Sequence, residues 1–500
     1  MRILLKGFVA NGIDEPSRMA VLVENDSIAA VEKDIYGSSA ADMVCKFKDE
    51  IIAPGFIDTH GHSDLSLLEF PEAESKRRQG VTCEITGNCG LSAFPITPEN
   101  QEHLNALYAS YGIPLSWHDL PEYQQHLAEK QVKLRTFPLC GHNTLRAAVA
   151  GYEKKSLCAC ELDKMKQLLS AALQAGSPGL STGLLYTPGC FADPAELQEL
   201  MKTLAMHNAV YTTHLRSEGD RLLESLEETL ENGRIAGLKK IQISHLKTAG
   251  KDNWHKLDAA LELIGNYRSG GMDVRFDRYP YTESQTMLSV ILPAPFDTMP
   301  DRDITIALQD ENAVKLIFQA LTQRPAEDWE RWRLTGTTHP QWQKFIGRKY
   351  NELGEEKIRA VIDQLVYDAT TATIGAAGMS EKNMLRIINH PLCMPGSDGN
   401  ALPGNDGSHA THPRAFGAIA RFIRIKLDSG NSIGKTVNSV SHAPADFFNL
   451  PEIGEISAGK KADITVFDPD NIDCKANFIT PRRFAEGIVM SMVGGNAEFY

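Results

Sequence analysis

Short apolar runs alternate with amphipathic segments through most of this 500-residue chain. Apolar runs bounded by turn residues are typical of buried strands, and apolar positions three and four residues apart are typical of helices. Helix signals, such as Asp193 followed by Pro194, stand between the runs. The strand-like runs are IIAPGFIDT, GVTCEIT, LRTFPLC, PGLSTGL, AVYTTHL, KIQISHLK, DVRFDRYPY and PLCMPGSDG. Eight strands separated by helices predict a (β/α)8 barrel.

Three segments depart from this alternation. Residues 1–53 and the segment from about residue 452 consist of short β-rich pieces and turns. The stretch from 287 to 375 is too long for one loop between a strand and a helix, and it contains helix-like sequences. We therefore predict an insertion between strands seven and eight.

Composition and charge narrow the function classes. Hydrophobic residues make up 42% of the chain and aromatic residues 7%, which is typical of a soluble globular protein. The net charge of −13 is spread along the chain and argues against binding to a nucleic acid backbone. No run of about 18 apolar residues occurs, so we predict no membrane span.

The start of the chain and its cysteines bear on the cellular compartment. The sequence MRILLKGFVANG is typical of a strand and a turn, and it is too short for a signal peptide. Nine cysteines without regular spacing predict no disulfide framework, and we interpret CAC at 158–160 as incidental rather than as a metal-binding pair. We expect a reducing, cytoplasmic location.

Chemically active side chains stand where the predicted strands end. In strand order they are His60 and His62, Cys89, His142, Tyr186, His214, His245, Tyr279 and Tyr281, and Asp398. Each has a structural alternative, because a buried histidine is often a core group, cysteine packs as a small hydrophobe, and SDG is a common turn. A barrel brings all these strand ends to one rim, so the set together predicts a functional site.

Imidazole and thiolate ligands together suit zinc. Cys89, His214 and His245 would provide three ligands and leave one position open for water. His60 and His62 could hold a second, weaker ion or assist the first. The sequence leaves the number of ions open.

Asp398 is the carboxylate that strand eight offers as a base. Zinc lowers the pKa of a bound water towards about 7, and Asp398 would accept the proton of that water. The hydroxide would then attack a carbonyl group, and the same carboxyl group would pass the proton to the departing nitrogen.

The motifs and their order resemble the N-acyl-D-amino-acid deacylase (D-aminoacylase) family of the amidohydrolase superfamily. The matching stretches cover about residues 51 to 420 and are PGFIDTHGHSD, GVTCEITGNCGLSAFP, GHNTLR, GLSTGLLYTPG, THLRSEGD, ISHLK, FDRYPYT, GSDG and HPRAFG. The segment GEISAGKKADITVFDP resembles the one that closes superfamily members. An HxH pair is shared by many metal hydrolases, whereas GNCG with THLR and GSDG is much more particular.

This resemblance implies a domain organisation. It implies a catalytic (β/α)8 barrel over residues 54–420 and a small β-sandwich built from both chain ends. The ends are 1–53 and 421–500, with the sandwich proper from about residue 452. The insertion at 287–375 would be a lid-like region.

The resemblance also implies an activity, namely zinc-dependent hydrolysis of N-acyl-D-amino acids to a carboxylate and a free D-amino acid. The small-molecule substrate would be the partner. The implied roles are a tight zinc site at Cys89, His214 and His245, a weaker one involving His60 and His62, and an acid/base at Asp398. The implied substrate-binding residues are Tyr186, Lys247 and Arg414, to which we add Tyr281 and His142 from the strand ends.

Two features bear on these roles. Many amidohydrolases bridge two metals with a lysine from strand four, but GLSTGLLY offers none, which fits a bridging cysteine. The stretch DGSHATHPR places Arg414 further from Asp398 than the family pattern leads us to expect.

Two alternative hypotheses about the function remain open from the sequence. A cyclic amidase of the dihydroorotase or hydantoinase kind would share the barrel and the metal, but such enzymes usually need the strand-four lysine. A catalytically silent barrel that serves as a binding module should have lost a ligand or the base. The substrate side chain, the acyl group and the oligomeric state are open, and Arg278 could bind an acidic group or pair with a structural carboxylate.

Overall fold

The computed structural model describes residues 1–33, 41–404 and 411–500. Its strands are β1 (Arg2–Val9), β2 (Ser17–Glu24), β3 (Ser27–Glu32), β4 (Met43–Pro54), β5 (Phe56–Asp58), β6 (Val81–Thr86), β7 (Arg135–Pro138), β8 (Cys140–Gly141), β9 (Gly179–Gly183), β10 (Val210–His214), β11 (Lys240–Ile243), β12 (Asp273–Arg278), β13 (Glu283–Met287), β14 (Trp332–Gly336), β15 (Thr373–Ala377), β16 (Cys393–Pro395), β17 (Ile464–Phe467), β18 (Ile488–Val493) and β19 (Asn496–Phe499).

The α-helices are α1 (Ser66–Glu69), α2 (Glu74–Arg77), α3 (Gln101–Leu107), α4 (Leu120–Glu129), α5 (His142–Ala150), α6 (Ala159–Gln174), α7 (Pro194–Met206), α8 (Leu222–Ile235), α9 (Leu257–Ser269), α10 (Asp301–Ala307), α11 (Glu311–Thr322), α12 (Ala326–Arg331), α13 (Lys357–Asp368), α14 (Glu381–Asn389), α15 (Arg414–Asp428), α16 (Ile433–Val440) and α17 (His442–Phe447). As predicted, Asp193 caps α7, and its side chain accepts a hydrogen bond from the Glu196 N–H group.

Parallel strands form the barrel in two hydrogen-bonded arcs. One arc has the order β5–β6–β7, and the other has the order β8–β9–β10–β11–β12–β16. The short strands β7 and β8 are the two halves of the third barrel strand, separated only by Leu139. Every strand predicted for the barrel is present, and the (β/α)8 fold is confirmed.

The seam between the first and last barrel strands is closed mainly by contacts beyond the strand ends. The Thr59 N–H group donates to the Pro395 carbonyl at 2.9 Å, and the Asp398 N–H group donates to the His60 carbonyl at 2.7 Å. An isolated bridge joins Gly61 to Gly399. The loops that carry His60 and Asp398 are therefore joined to each other directly.

A buried lysine also links the two sides of this seam. The Lys76 ammonium donates to Asp58 Oδ2 at 2.7 Å, to Ser397 Oγ at 2.8 Å and to the Gly399 carbonyl at 2.9 Å. Glu84 Oε1 lies 3.3 Å from the same nitrogen. Lys76 therefore links strand one to the two residues on either side of Asp398.

The floor of the barrel is closed by residues from the C-terminal third of the chain. Ile57, Val210 and Met394 of the barrel strands pack against Phe447 and Ile453 in one buried cluster. The boundary expected at residue 420 falls inside α15, which begins at Arg414 and ends at Asp428. We therefore propose that the barrel unit extends to about residue 453.

Both chain ends meet in one seven-stranded sheet. Its order is β19–β18–β17–β4–β1–β2–β3, so β4 lies between an N-terminal strand and a C-terminal strand. Strand β4 runs parallel to β1 and antiparallel to β17. Side chains from β1, β2, β4, β17 and β18 share a separate apolar core. A small β domain made from both ends is thus present.

An insertion lies between β12 and β16 and has its own core. Its three-stranded sheet has the order β13–β15–β14, and helices α10 to α13 pack with it. Trp329, Trp332 and Trp342 are buried in an apolar cluster that is separate from the barrel core. The pairing of β13 with β15 brings the two ends of the insertion together.

Two further predictions can be compared with the fold. Cys158 and Cys160 form a disulfide at the start of α6, which the cysteine count did not predict. Among the helices of the described residues, none combines the length and the apolar character that a membrane crossing requires.

Lys76 gives a test of the seam. Removing one member of a buried ion pair leaves an uncompensated charge, so Lys76→Met should lower the free energy of unfolding by about 3–5 kcal/mol. Lys154→Met, at an exposed position, is the matched control and should change the unfolding free energy by less than about 0.5 kcal/mol. Urea unfolding measures both values, and equal stability of the two variants would contradict this role.

Candidate metal centre

A cavity of about 610 Å³ opens at the carboxyl ends of the barrel strands. Its lining includes eight of the predicted site residues, which are His62, Cys89, Tyr186, His214, His245, Lys247, Asp398 and Arg414. This is the position at which barrel enzymes place their chemistry, because the loops after all the strands converge there.

Two groups of potential metal ligands share one cysteine. One group is Cys89, His214 and His245, whose ligand atoms all lie within 4.8 Å of one another. The second group is His60, His62, Cys89 and Asp398, which meets the same criterion. The Cys89 Sγ atom lies 3.3 Å from His60 Nε2 and 3.5 Å from His245 Nε2. The predicted metal ligands are therefore brought together.

The backbone turns three of these residues towards the cavity in an unusual conformation. Cys89, His245 and Asp398 have φ angles of 52°, 36° and 51°, in the left-handed region that residues with a side chain rarely adopt. All three follow the ends of barrel strands. Backbone strain of this kind is concentrated at functional sites, where surrounding contacts maintain it.

The donor set fits zinc. Neither ring nitrogen of the buried His214 has a hydrogen-bond partner among the described residues, and the nearest carboxylate, Glu218 Oε2, lies 3.6 Å from Nε2, so this imidazole can still offer a nitrogen to a metal. Burial raises the pKa of the Cys89 thiol, but the imidazoles of His60 and His245 outweigh burial and hold that pKa well below its ordinary value. One thiolate with two imidazoles is a ligand combination that zinc favours.

Carboxylates orient two of the imidazoles from outside. His60 Nδ1 lies 3.1 Å from Asp277 Oδ2, and His245 Nδ1 lies 2.8 Å from Glu218 Oε1. A histidine that binds a metal usually donates its other N–H group in this way, which fixes the ring and the tautomer. Asp277 and Glu218 are not among the predicted site residues, although they stand within the motifs FDRYPYT and THLRSEGD.

Asp398 lies between an imidazole and a guanidinium. Its Oδ1 is 3.0 Å from His62 Nε2, and its Oδ2 is 2.8 Å from Arg414 Nη1. Burial raises the pKa of Asp398, but the charge of Arg414 and the hydrogen bond with His62 hold that pKa well below its usual range. The carboxyl group is therefore ionised and can accept a proton.

Lys247 and Arg414, which the resemblance implies as substrate-binding residues, line the cavity, and each already faces a carboxylate of the protein. Lys247 donates to Glu218 and lies 2.8 Å from His245 Nδ1. Arg414 faces Asp398, and its Nη2 donates to the Gln285 carbonyl at 3.5 Å. Within the stretch before Arg414, residues 405–410 lie outside the described residues.

Tyrosines complete one wall of the cavity. Tyr186 lies with its ring centroid 5.0 Å from that of His214, and its hydroxyl is 3.1 Å from Thr286 Oγ1 of the insertion. Tyr279 also lines the cavity, and its buried hydroxyl has no hydrogen-bond partner in the described part of the chain. Tyr281, predicted from the sequence to bind substrate, instead donates to the Pro413 carbonyl at 3.3 Å.

His142 also lies away from the predicted position. It is the first residue of α5, and its Nε2 is 2.8 Å from Glu196 Oε1 on α7. Arg146 contacts the same carboxylate, so His142 belongs to a buried polar cluster between two outer helices. Its side chain does not contribute to the cavity lining formed by the described residues.

Known proteins provide independent comparisons. The model of the Amidohydrolase family matches residues 381–497. An N-acyl-D-glutamate deacylase from Alcaligenes xylosoxydans xylosoxydans is 32% identical, with 99% of this chain and 92% of that protein covered. A D-aminoacylase from the same organism is 30% identical, with 99% and 93% covered.

A solved structure of a deacylase is also similar to this chain over nearly its whole length. The N-acyl-D-glutamate deacylase from Bordetella bronchiseptica, complexed with zinc and a phosphonate inhibitor that mimics the tetrahedral intermediate of the reaction, has a TM-score of 0.82. It is 29% identical, and the match covers 99% of this chain and 96% of that one. The catalytic barrel, both chain ends and the insertion are thus all included in the likeness. On the extent and level of these similarities, the chain belongs to the N-acyl-D-amino-acid deacylase family of the amidohydrolase superfamily.

Proposed function

We propose that this cavity hydrolyses the amide bond of N-acyl-D-amino acids with the help of zinc held by Cys89, His214 and His245. The reaction class follows from the relatives, which are an N-acyl-D-glutamate deacylase and a D-aminoacylase. The observation that carries the residue assignment is the convergence of one thiolate and two imidazoles on a point that faces Asp398.

Zinc is the metal bound to the Bordetella relative, and the donor set of this chain suits it. Bound there, zinc would supply Lewis acidity, which polarises a carbonyl group and makes a water more acidic. His60 and His62, with Cys89 and Asp398 beside them, would hold a weaker second ion. Glu218 and Asp277 would keep the rings of His245 and His60 in the orientation that ligation needs.

Asp398 performs the proton transfers in this proposal. Its ionised carboxylate accepts the proton of the attacking water, and His62 and Arg414 hold the carboxylate in place. The same carboxyl group then donates this proton to the amide nitrogen, and the bond between that nitrogen and the acyl carbon breaks. The acyl group leaves as a carboxylate, and the amino acid leaves with a free amino group.

Substrate orientation depends on the positive groups beside Asp398. Lys247 and Arg414 line the cavity, and the unpartnered hydroxyl of Tyr279 lies in the same wall. Together they would bind the α-carboxylate of the substrate, for which the guanidinium fork is well suited. With the carboxylate and the scissile carbonyl both fixed, the α-carbon side chain fits on one side only, which selects one enantiomer.

The cyclic-amidase alternative is less well supported. Those enzymes usually use a lysine from strand four, and strand β9 has the sequence GLSTG. Cys89, which belongs to both ligand groups, offers the bridging ligand instead.

The first prediction concerns metal content. Purified protein should contain between one and two equivalents of zinc, with one held tightly. Cys89→Ala should lose the tight ion and nearly all activity, because the thiolate neutralises charge that water cannot. Cys45→Ala, which removes a free thiol from β4, is the matched control and should keep both. Mass spectrometry of metals after dialysis measures the content, and full occupancy in Cys89→Ala would contradict the ligand assignment.

The second prediction concerns the base. Asp398→Asn keeps the size and polarity of the side chain but cannot take a proton, so turnover should fall by about 10²–10⁴-fold. Zinc content should change little, and Asp252→Asn at an exposed position should behave as wild type. Near-normal turnover of Asp398→Asn in a steady-state assay would mean that another group is the base.

The third prediction concerns handedness and the free carboxylate. N-acetyl-D-methionine should exceed its L enantiomer and its D-carboxamide by on the order of 10²-fold in kcat/KM. The amide loses charge-assisted hydrogen bonds to Lys247 and Arg414, and the side chain of the L form does not fit while the carboxylate and the carbonyl are both bound. Including N-acetyl-D-glutamate in the same assay separates a preference for neutral side chains from one for acidic side chains. A preference for the L form, or equal values for acid and amide, would show that the cations do not bind the substrate carboxylate.

A further inference from the structure

Three cations surround the ring of Tyr279, and one of them has no role in the scheme above. Arg278, the last residue of β12, is 1% exposed, and its Cζ lies 4.3 Å from the centroid of the Tyr279 ring. The corresponding distances are 4.8 Å for Arg414 Cζ and 6.0 Å for Lys247 Nζ.

Arg278 differs from the other two cations because no carboxylate balances it. Lys247 and Arg414 each form an ion pair, whereas Arg278 forms none within the described part of the chain. Its Nη2 donates to the Tyr281 carbonyl at 2.8 Å, and its Nε and Nη1 have no hydrogen-bond partner among the same residues. An unpaired buried charge is costly, so this wall carries positive charge that an anionic ligand would balance.

The Tyr279 hydroxyl is the group through which the charge of Arg278 can influence a ligand in the cavity. Arg278 lies outside the residues that line the cavity, whereas Tyr279 lies among them with an unpartnered hydroxyl. A guanidinium over an aromatic face is attracted to the ring, and it withdraws electron density from the phenol. The phenolic O–H group therefore becomes a stronger donor to a negatively charged acceptor.

We propose that Arg278 is a positioning residue that acts through Tyr279 to favour substrates with a free carboxylate. This inference rests on the proposed function, because it assumes that the α-carboxylate of an N-acyl amino acid lies at this wall. It replaces the two alternatives for Arg278 from the sequence, because among the described residues Arg278 neither lines the cavity nor pairs with a carboxylate.

The test compares an acid and its amide in variants of the full-length zinc-loaded protein. Arg278→Met should lower kcat/KM for N-acetyl-D-methionine by about tenfold, mainly through KM, because the Tyr279 hydroxyl loses the cation that strengthens its hydrogen bond to the carboxylate. The value for N-acetyl-D-methioninamide should change less than about twofold. The acid-to-amide ratio should therefore fall about tenfold, and Arg278→Lys, which keeps the charge, should keep the ratio within about threefold.

A double variant tests whether the effect passes through the tyrosine. In a Tyr279→Phe background, Arg278→Met should change the acid-to-amide ratio by less than about twofold. Full additivity of the two substitutions would overturn the proposed route. Arg275→Met removes a cation from the same strand near the barrel floor, where its Nη1 donates to the Ala443 carbonyl, and should leave the ratio unchanged.

The outcomes are distinguishable from a failure of the proposed function. Wild-type protein that does not hydrolyse N-acetyl-D-methionine would overturn the function itself. Wild-type hydrolysis with an unchanged acid-to-amide ratio in Arg278→Met would overturn only the role of Arg278. An equal fall in kcat/KM for both substrates would also overturn only the role of Arg278, because the loss of a purely structural residue lowers both values. Where Arg278→Met does not fold, Arg278→Gln, which keeps a donor for the Tyr281 carbonyl, replaces it in the same comparison.

Discussion

The buried ammonium group of Lys76 is the contact on which the geometry of the site depends. A parallel barrel closes when its first and last strands meet, but here β5 and β16 are only three residues long each. Lys76 bonds to Asp58 in one strand and to the residues on both sides of Asp398 in the loop after the other. His60 follows Asp58 by two residues. Lys76 therefore sets the distance between the loop that carries His60 and the loop that carries Asp398.

Groups of opposite charge follow one another outward from the candidate metal centre. These contacts keep each reactive group in the protonation state that its proposed role requires. The imidazoles of His60 and His245 each contact a carboxylate, and Glu218 in turn contacts Lys247. Asp398 is ionised because a guanidinium lies on its far side. A neutral environment around any of these groups would favour the protonated carboxyl or thiol, which can neither accept a proton nor bind a metal.

The strand positions and the ligands could be predicted from the sequence, because each ligand directly follows an apolar run and the barrel brings those ends together. Tyr281 and His142, which do not line the cavity formed by the described residues, show where this reasoning fails. Side chains two residues apart share a face only while the chain is extended. After β12 the Tyr281 N–H group donates to the Tyr279 carbonyl at 3.0 Å, so the chain turns tightly there and the two rings separate. His142 already belongs to α5, which directs its ring towards α7.

The seven-stranded sheet has a consequence for how the chain is made. Strand β4 pairs with β17 through Ile464 opposite Pro54 and Phe467 opposite Ile51, across more than four hundred residues. During synthesis from the N-terminus, that edge of β4 stays open until nearly the whole chain has left the ribosome. An exposed strand edge is a template for pairing with other chains, so interrupted translation leaves a fragment with an aggregation-prone edge that the finished protein covers.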